Sequence, residues 1–99
     1  HDLRKALGVK NMPVVIANSG FGGRKQKVDR RLELMKAQAA VAQRKELRKT
    51  VTTVETRDFF RAPEVSPSRQ GYHWNANAET YFLIGDAMGE AMKKLLPGN

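Results

Sequence analysis

Histidine 73 is the residue whose type and position best fit acid–base chemistry. It follows a polar, turn-forming segment and comes just before a stretch of amphipathic, helical pattern. Imidazole titrates near neutral pH, so a histidine at the mouth of a loop can take a proton from a hydroxyl nucleophile and later return it. The other interpretation is a surface or packing histidine, and the spacing alone favours that second interpretation.

The glycine-rich loop Gly20–Gly23 is a second segment of chemical interest. It follows a predicted strand, precedes a predicted helix and is followed by Arg24 and Lys25, as in phosphate-binding loops. It lacks a complete Gly-x-Gly-x-x-Gly or Gly-Lys-Ser/Thr pattern, so a tight turn with positive φ explains the glycines better. Ser19 lacks the Gly-x-Ser-x-Gly surroundings of a nucleophile elbow and is interpreted as a loop residue.

The elements that would position these residues alternate between strand and helix. The run 13–17 is short, apolar and rich in β-branched residues, which predicts a strand buried on both faces. The run 50–56 predicts a second strand. Helices are predicted at 2–7, ending at Gly8, at 29–49 and at 76–96, with a long loop over 57–71.

The last predicted helix carries a clear apolar stripe. Asn75 or Asn77 can cap its start, and Gly85 and Gly89, one turn apart, are expected to let it approach a sheet closely. The residues predicted to be buried on this helix are Ala78, Tyr81, Phe82, Gly85, Met88, Met92 and Leu95.

The order of elements predicts an α/β fold. A strand–helix–strand–helix sequence implies parallel strands joined by a right-handed crossover. Two parallel strands are too few for a stable sheet, because parallel sheets are normally covered on both faces within larger folds. Residues 1–99 are therefore expected to form a single partial domain, the second half of a doubly wound, three-layer parallel-sheet domain of flavodoxin-like type.

Composition narrows the function classes. The chain has 99 residues, no cysteine and a net charge of +8, and ten basic and three acidic residues between Arg24 and Lys49 supply most of that charge. Disulfides and thiolate metal sites are excluded, and no apolar run approaches the roughly 20 residues that span a bilayer. No aromatic residue is interleaved with the charges, so base stacking is not indicated. No metal site and no cofactor are predicted.

Most of the chain resembles the SGNH-type carbohydrate esterases of the sialate O-acetylesterase-like group. The most specific segments are 71–75 (GYHWN) and 79–89 (ETYFLIGDAMG), and the strand and loop at 11–23 (NMPVVIANSGFGG) are also similar. The resemblance implies an SGNH hydrolase domain that removes acetyl groups from sugars through an acyl-enzyme intermediate. Enzymes of this kind are more often secreted or periplasmic.

The resemblance also assigns roles to individual residues. His73 would be the catalytic base, and the group usually has an aspartate three residues before it, where this chain has Gln70. A glutamine oxygen can accept the imidazole Nδ1–H but cannot stabilise the imidazolium by charge. Glu64 on the same loop is the alternative acid member, and Asp58 is a weaker one. Substrate-binding roles fall on Gly22, Trp74 and Asn75.

The serine of that group lies near its amino terminus in a Gly-Asp-Ser or Gly-Gln-Ser context, which is not recognisable here. The chain is therefore expected to be the carboxyl-terminal part of an esterase for acetylated carbohydrates, inactive by itself. The amino-terminal half of the same domain, or another chain, would complete the sheet. The alternatives are a non-catalytic basic module that binds nucleic acid or an acidic polysaccharide, with nucleic acid the less expected, and a purely structural remnant. No membrane partner is predicted.

Overall fold

Two short parallel strands form the sheet of the computed structural model, which describes residues 2–98. Strand β1 (Val14–Ala17) pairs with β2 (Val51–Val54) in a register that runs from Val14 opposite Val51 to Ala17 opposite Val54. Both strands are rich in β-branched residues, which suit a pleated and partly buried surface. The predicted α/β class and the parallel pairing are confirmed at the level of a small two-stranded sheet.

Residues 2–98 form three α-helices beside the sheet. They are α1 (Asp2–Ala6), α2 (Asp29–Gln43) and α3 (Ala78–Leu95). Helix α1 is followed by Gly8 in a left-handed conformation, with φ at 66°. Helix α2 packs on β2, whereas α3 packs on both strands. None of the helices in the described part of the chain is long and apolar enough to cross a membrane.

Helix α2 is shorter than predicted. It ends at Gln43 instead of residue 49, because Arg44 adopts an extended conformation, with ψ at 131°, that breaks the helical path. The carbonyl of Leu47 then accepts hydrogen bonds from the N–H groups of Thr50 and Val51, which closes a turn leading directly into β2. In the sequence, the helical spacing of apolar residues therefore continues past Gln43, although the backbone has already left the helix.

In the described part of the chain, four 3₁₀ helices occupy the connections. One lies at Gly23–Lys25 after β1, and three lie in the long segment between β2 and α3, at Arg57–Phe59, Pro63–Val65 and Gly71–Ala76. The predicted loop over 57–71 is confirmed as a segment without strands or α-helices in this range. It is nevertheless built from defined turns, so the residues that it carries are held in place.

The buried face of α3 differs from the predicted stripe. Ala78, Tyr81, Phe82 and Gly85 are exposed, while Met88, Met92 and Leu95 are half-buried as expected. The cause is Thr80, which is fully buried and donates a hydrogen bond of 2.7 Å to the carbonyl of Phe59. Because each helical residue turns by about 100°, fixing Thr80 inward directs a different set toward the sheet. That set also includes Leu83, Ile84, Ala87 and Ala91.

The predicted close approach of α3 to the sheet at its glycines is wrong. A Cβ atom added at Gly85 or Gly89 would meet no atom within 4 Å. Strand β1 also departs from expectation, because all four of its residues are only half-buried. Within residues 2–98 each strand pairs only with the other, so each keeps one unpaired edge. The buried apolar side chains are Met35, Val51, Val54 and Trp74.

Candidate functional site

The carboxyl ends of the two strands are tied together by Asn18 and Thr56. Each residue lies just beyond its strand, and Thr56 is fully buried. The Thr56 hydroxyl donates to the main-chain and side-chain oxygens of Asn18 at 2.9 and 2.7 Å, and the Thr56 N–H donates to Asn18 Oδ1 at 3.0 Å. Gly20 N–H donates to Thr56 Oγ1 at 3.2 Å. A Cβ at Gly20 would collide with Thr56 Oγ1, so this approach requires glycine.

Trp74 joins the segment around His73 to this edge of the sheet. Its ring packs 5.0 Å from that of Phe21, in the loop after β1, and 6.4 Å from that of Phe60, in the segment after β2. Both pairs are tilted, a favourable arrangement for aromatic rings. The indole therefore fixes the position of the turn before α3 relative to both strand ends.

The turn that presents His73 is strained. Trp74, Asn75 and Ala76 all adopt left-handed conformations, with φ of 51°, 53° and 55°. Single residues in this region cost about 1–3 kcal/mol when they are not glycine, and asparagine tolerates it best. The surrounding contacts must therefore hold the turn in place.

Asn75 provides much of that support. Its side chain is fully buried and donates from Nδ2 to the carbonyl of Arg61 at 3.0 Å. Its main-chain N–H donates to the Gln70 carbonyl and its carbonyl accepts from Ser68 N–H, both at 3.0 Å. Asn75 Oδ1 is buried with no hydrogen-bond partner among the described residues.

Asn77 begins α3 as one of the two predicted caps. Its Oδ1 accepts a hydrogen bond of 3.2 Å from Thr80 N–H, and its Nδ2 donates to Ser66 Oγ at 3.0 Å. The same amide thus caps the helix and ties its start to the preceding segment.

His73 itself is exposed, although its main chain is fixed on both sides. Its N–H donates to the Gln70 carbonyl at 2.8 Å, and its carbonyl accepts from Tyr81 Oη at 2.9 Å. The imidazole lies against the ring of Tyr72, with 4.4 Å between centroids. An open imidazole on a fixed backbone can exchange protons with a group brought to it.

The predicted acid partners form no hydrogen bond with the imidazole among residues 2–98. Within residues 2–98 the side chains of Gln70 and Glu64 form no hydrogen bond with His73. Gln70 uses its main-chain carbonyl to shape the turn, and Glu64 forms an exposed ion pair with Arg69 at 3.6 Å. Asp58 pairs with Arg24 at 2.8 Å. The structure therefore brings His73 and Gln70 together through the backbone only.

The three predicted substrate-binding residues lie at different depths. Gly22 is half-buried and left-handed, with φ at 83°, which confirms that this loop needs positive φ. Trp74 is buried and Asn75 is fully buried. The predictions did not include Phe21, Phe60, Thr56 and Tyr81 as site residues. Phe21 is an aromatic residue within the glycine-rich loop, and this feature of the sequence could have indicated a packing role for it at the site.

Ion pairs surround the same strand ends. Arg57 binds Glu55 through Nε at 2.9 Å and Nη2 at 2.8 Å. These side-chain hydrogen bonds are the main cause that lowers the pKa of Glu55 to about 2. The Arg24 guanidinium likewise lowers the pKa of Asp58. Both carboxyl groups are therefore held ionised by arginine and are poor proton donors at neutral pH.

Comparison with known proteins adds no relative. No family model, no curated protein and no solved structure matches this chain. A role for the residues at the strand ends must therefore be argued from their geometry. We define the carboxyl-end site as the side chains gathered there and the turn that they hold: Asn18, Phe21, Thr56, Phe60 and residues 73–76.

Proposed function

We propose that this chain is the carboxyl-terminal part of an SGNH-type carbohydrate esterase and supplies its catalytic histidine. The observation that carries the proposal is the exposed imidazole of His73, presented by a buried turn at the carboxyl ends of two parallel strands. Ligands of open α/β sheets bind outside the carboxyl ends of the strands. The resemblance of segments 11–23 and 71–89 to the esterase group supports the same conclusion.

The reaction would use a serine from outside residues 1–99. His73 takes the proton of that serine as its oxygen attacks the acetyl carbonyl, and it gives the proton to the sugar oxygen as the ester bond breaks. Water then attacks the acetyl-serine, its proton passes to His73, and the serine oxygen recovers that proton as acetate leaves. The chain alone provides the base but not the nucleophile.

The third catalytic group is proposed on the 57–71 segment. Gln70 is the positional match to the aspartate of the esterase group, and its side-chain oxygen would accept the Nδ1–H of His73. Glu64 is the alternative, since it is the nearest carboxylate in sequence on that segment and its ion pair with Arg69 is long and exposed. Only a carboxylate would also stabilise the imidazolium by charge.

The substrate-binding residues divide by depth. Gly22, at the half-exposed bend of the loop after β1, would lie beside the acetylated sugar. Trp74 and Asn75 are buried and would act on the substrate indirectly, by holding the backbone of His73. We treat them as positioning residues in this proposal.

The unpaired strand edges support the proposed larger domain. Each strand has a single partner within residues 2–98, and β1 is only half-buried along its whole length. Further strands beside β1 or β2, from the same polypeptide or another chain, would extend this sheet into the doubly wound, three-layer domain expected of the esterase group.

The test is hydrolysis of an acetylated sugar by the full-length product of the gene that encodes this chain. His73→Ala is expected to lower kcat/KM by about 10²–10⁴-fold, the usual contribution of a general base. Tyr72→Phe, a neighbouring change that keeps the ring against the imidazole, is the matched control and is expected to retain activity. Full activity in His73→Ala would overturn the proposal.

A further inference from the structure

The amino ends of the two strands are tied together by Arg4 of α1. Its guanidinium donates hydrogen bonds of 2.7 Å to the carbonyl of Met12, two residues before β1, and to Oγ1 of Thr50, the residue before β2. Arg4 therefore holds residues 2–12 and 44–50 together at the end of the sheet opposite the carboxyl-end site. We name the surface formed by these two segments the amino-end surface.

The amino-end surface is strongly basic. Its two segments carry seven basic and two acidic residues. One of the acidic residues, Glu46, forms an ion pair with Arg44 at 2.7 Å. Five of the basic side chains are exposed and form no ion pair among residues 2–98: Lys5, Lys10, Lys45, Arg48 and Lys49. Their charges can therefore bind an external anion without first breaking an ion pair within the described chain.

A recess lies between the two segments. It is a cavity of about 530 Å³ that Arg4, Lys5 and Lys10 line from the first segment. The second segment lines it with Glu46 and Leu47. This volume lies within the range of roughly 300–1,000 Å³ that is typical of ligand sites. The cations therefore surround a space that can receive part of a ligand.

The proposed larger domain would leave the amino-end surface exposed. In a doubly wound fold, further strands are added beside β1 or β2, and further helices cover the faces of the sheet. The ends of the strands carry only connecting segments. A partner at the amino-end surface would therefore not compete with the missing strands and helices.

We propose that the amino-end surface binds an anionic polysaccharide through its sulfate or carboxylate groups. The surface lies at the opposite end of the sheet from His73, so this is a second binding site and not part of the proposed catalytic one. A polymer held there keeps its acetylated sugars at a high local concentration around the enzyme. The choice of a carbohydrate rests on the proposed function, whereas the basic surface itself does not.

Three features favour a polysaccharide over a nucleic acid. Residues 2–12 and 44–50 contain no aromatic residue that could stack on bases. Helix α1 has five residues, which is too short for a recognition helix in a DNA groove. Four of the five exposed cations without an ion pair are lysines, whose compact charge binds sulfate or carboxylate without the fixed two-bond geometry of arginine.

The experiment measures binding of the full-length product of the gene to dextran sulfate, with uncharged dextran as the reference polymer. Wild type is expected to bind dextran sulfate but not dextran, and more weakly as sodium chloride rises from about 50 to 500 mM, because salt screens the charges. The triple variant Lys5→Gln, Lys10→Gln, Arg48→Gln is expected to raise the Kd for dextran sulfate about tenfold, since it removes three exposed charge contacts.

The matched control removes the same number of charges at the other end of the sheet. It is the triple variant Lys25→Gln, Lys27→Gln, Arg30→Gln, which also changes two lysines and one arginine that are exposed and form no ion pair among residues 2–98. The two variants have the same net charge, so only the position of the charges differs. The control is expected to change Kd by less than about twofold in physiological salt. Circular dichroism verifies that both variants are folded.

The esterase proposal is read separately. His73→Ala is expected to bind dextran sulfate like wild type, because the imidazole is not part of the amino-end surface. Absence of acetyl-sugar hydrolysis with this binding intact would contradict the proposed function and leave the binding surface in place.

Four results would overturn the inference. Wild type that fails to bind dextran sulfate has no such site, and equal binding of dextran would show that the anionic groups are not recognised. An equal rise of Kd in the two triple variants would show that net charge alone is responsible. Double-stranded DNA that binds wild type as tightly as dextran sulfate, or more tightly, would make this a surface for nucleic acid.

Discussion

The carboxyl-end site differs in construction from the apolar surface between α1 and the end of α2, which includes Leu3, Met12 and Val41. The site includes two fully buried polar side chains, Thr56 and Asn75, and each is fixed by hydrogen bonds to another segment. The surface between α1 and the end of α2 has the exposed Leu3 at its margin, and Arg4 donates hydrogen bonds across it to the Met12 carbonyl and to Thr50 Oγ1. A 99-residue chain buries relatively little surface, so order concentrated at one edge leaves another edge open. The difference shows that the buried hydrogen bonds of this molecule are concentrated beside the turn that carries His73.

Trp74→Ala tests the comparison with the largest expected effect. Removing the indole deletes its contacts with Phe21 and Phe60 and leaves a cavity, so we expect a loss of about 3–5 kcal/mol in the free energy of unfolding. The measurement is urea unfolding followed by circular dichroism. Leu7→Ala, at an exposed leucine just after α1, is the matched control and should change stability by less than about 0.5 kcal/mol. Equal effects of the two variants would break the comparison.

Thr56→Val tests the polar link between the strand ends. The change keeps the side-chain volume but removes the hydroxyl that donates to Asn18 and accepts from Gly20. We expect unfolding free energy to fall by about 1–3 kcal/mol, because a buried group loses its partner. Thr52→Val, on β2 where the threonine is half-buried, serves as the control in the same urea titration and should be nearly neutral. A stabilised Thr56→Val protein would contradict the role of this link.

Ala76→Gly sharpens the claim that the His73 turn is strained. Ala76 has φ at 55° and is exposed, so glycine relieves the backbone without removing a buried contact. We expect a gain of about 0.5–1 kcal/mol in unfolding free energy, reduced by the greater freedom of glycine in the unfolded chain. Ala40→Gly, at an exposed site within α2, should instead destabilise by about 1 kcal/mol. Destabilisation by Ala76→Gly would show that the turn is not strained at this residue.

Glu55→Gln has the smallest expected effect and acts through pH. The pKa of Glu55 falls from an ordinary value of 4.5 to about 2 in the folded chain. A lowered folded-state pKa contributes stability above pH 4.5, which is lost as pH falls toward 2. The Glu55 side chain is 39% exposed, so solvent reduces this contribution. Thermal melting at several pH values should show the variant less stable than wild type at pH 7, with the difference vanishing near pH 2, and a constant difference would contradict this.

The sequence predicted the parallel strands, a helix cap at Asn75 or Asn77, and the position of His73 just before α3, because each depends on local patterns of residue type. Of the two candidate caps, the structure uses Asn77. It did not predict the end of α2 at Gln43, because the turn that Leu47 closes with Thr50 and Val51 lies outside the helix. It also did not predict which face of α3 is buried, because Thr80 bonds to Phe59, which is distant in sequence. The left-handed turn was also missed, because tryptophan and alanine seldom adopt it without buried support. The position of His73 before α3 was therefore predictable, whereas the packing that holds its backbone was not.

The most direct test of the central claim is to find the serine that we propose His73 activates. A fluorophosphonate probe can be reacted with the full-length product of the gene, and the labelled peptide identified by mass spectrometry. We predict that the labelled serine lies outside residues 1–99 and that His73→Ala abolishes labelling. Labelling of Ser19, no labelling at all, or labelling that His73→Ala leaves unchanged would contradict the proposed role of this chain.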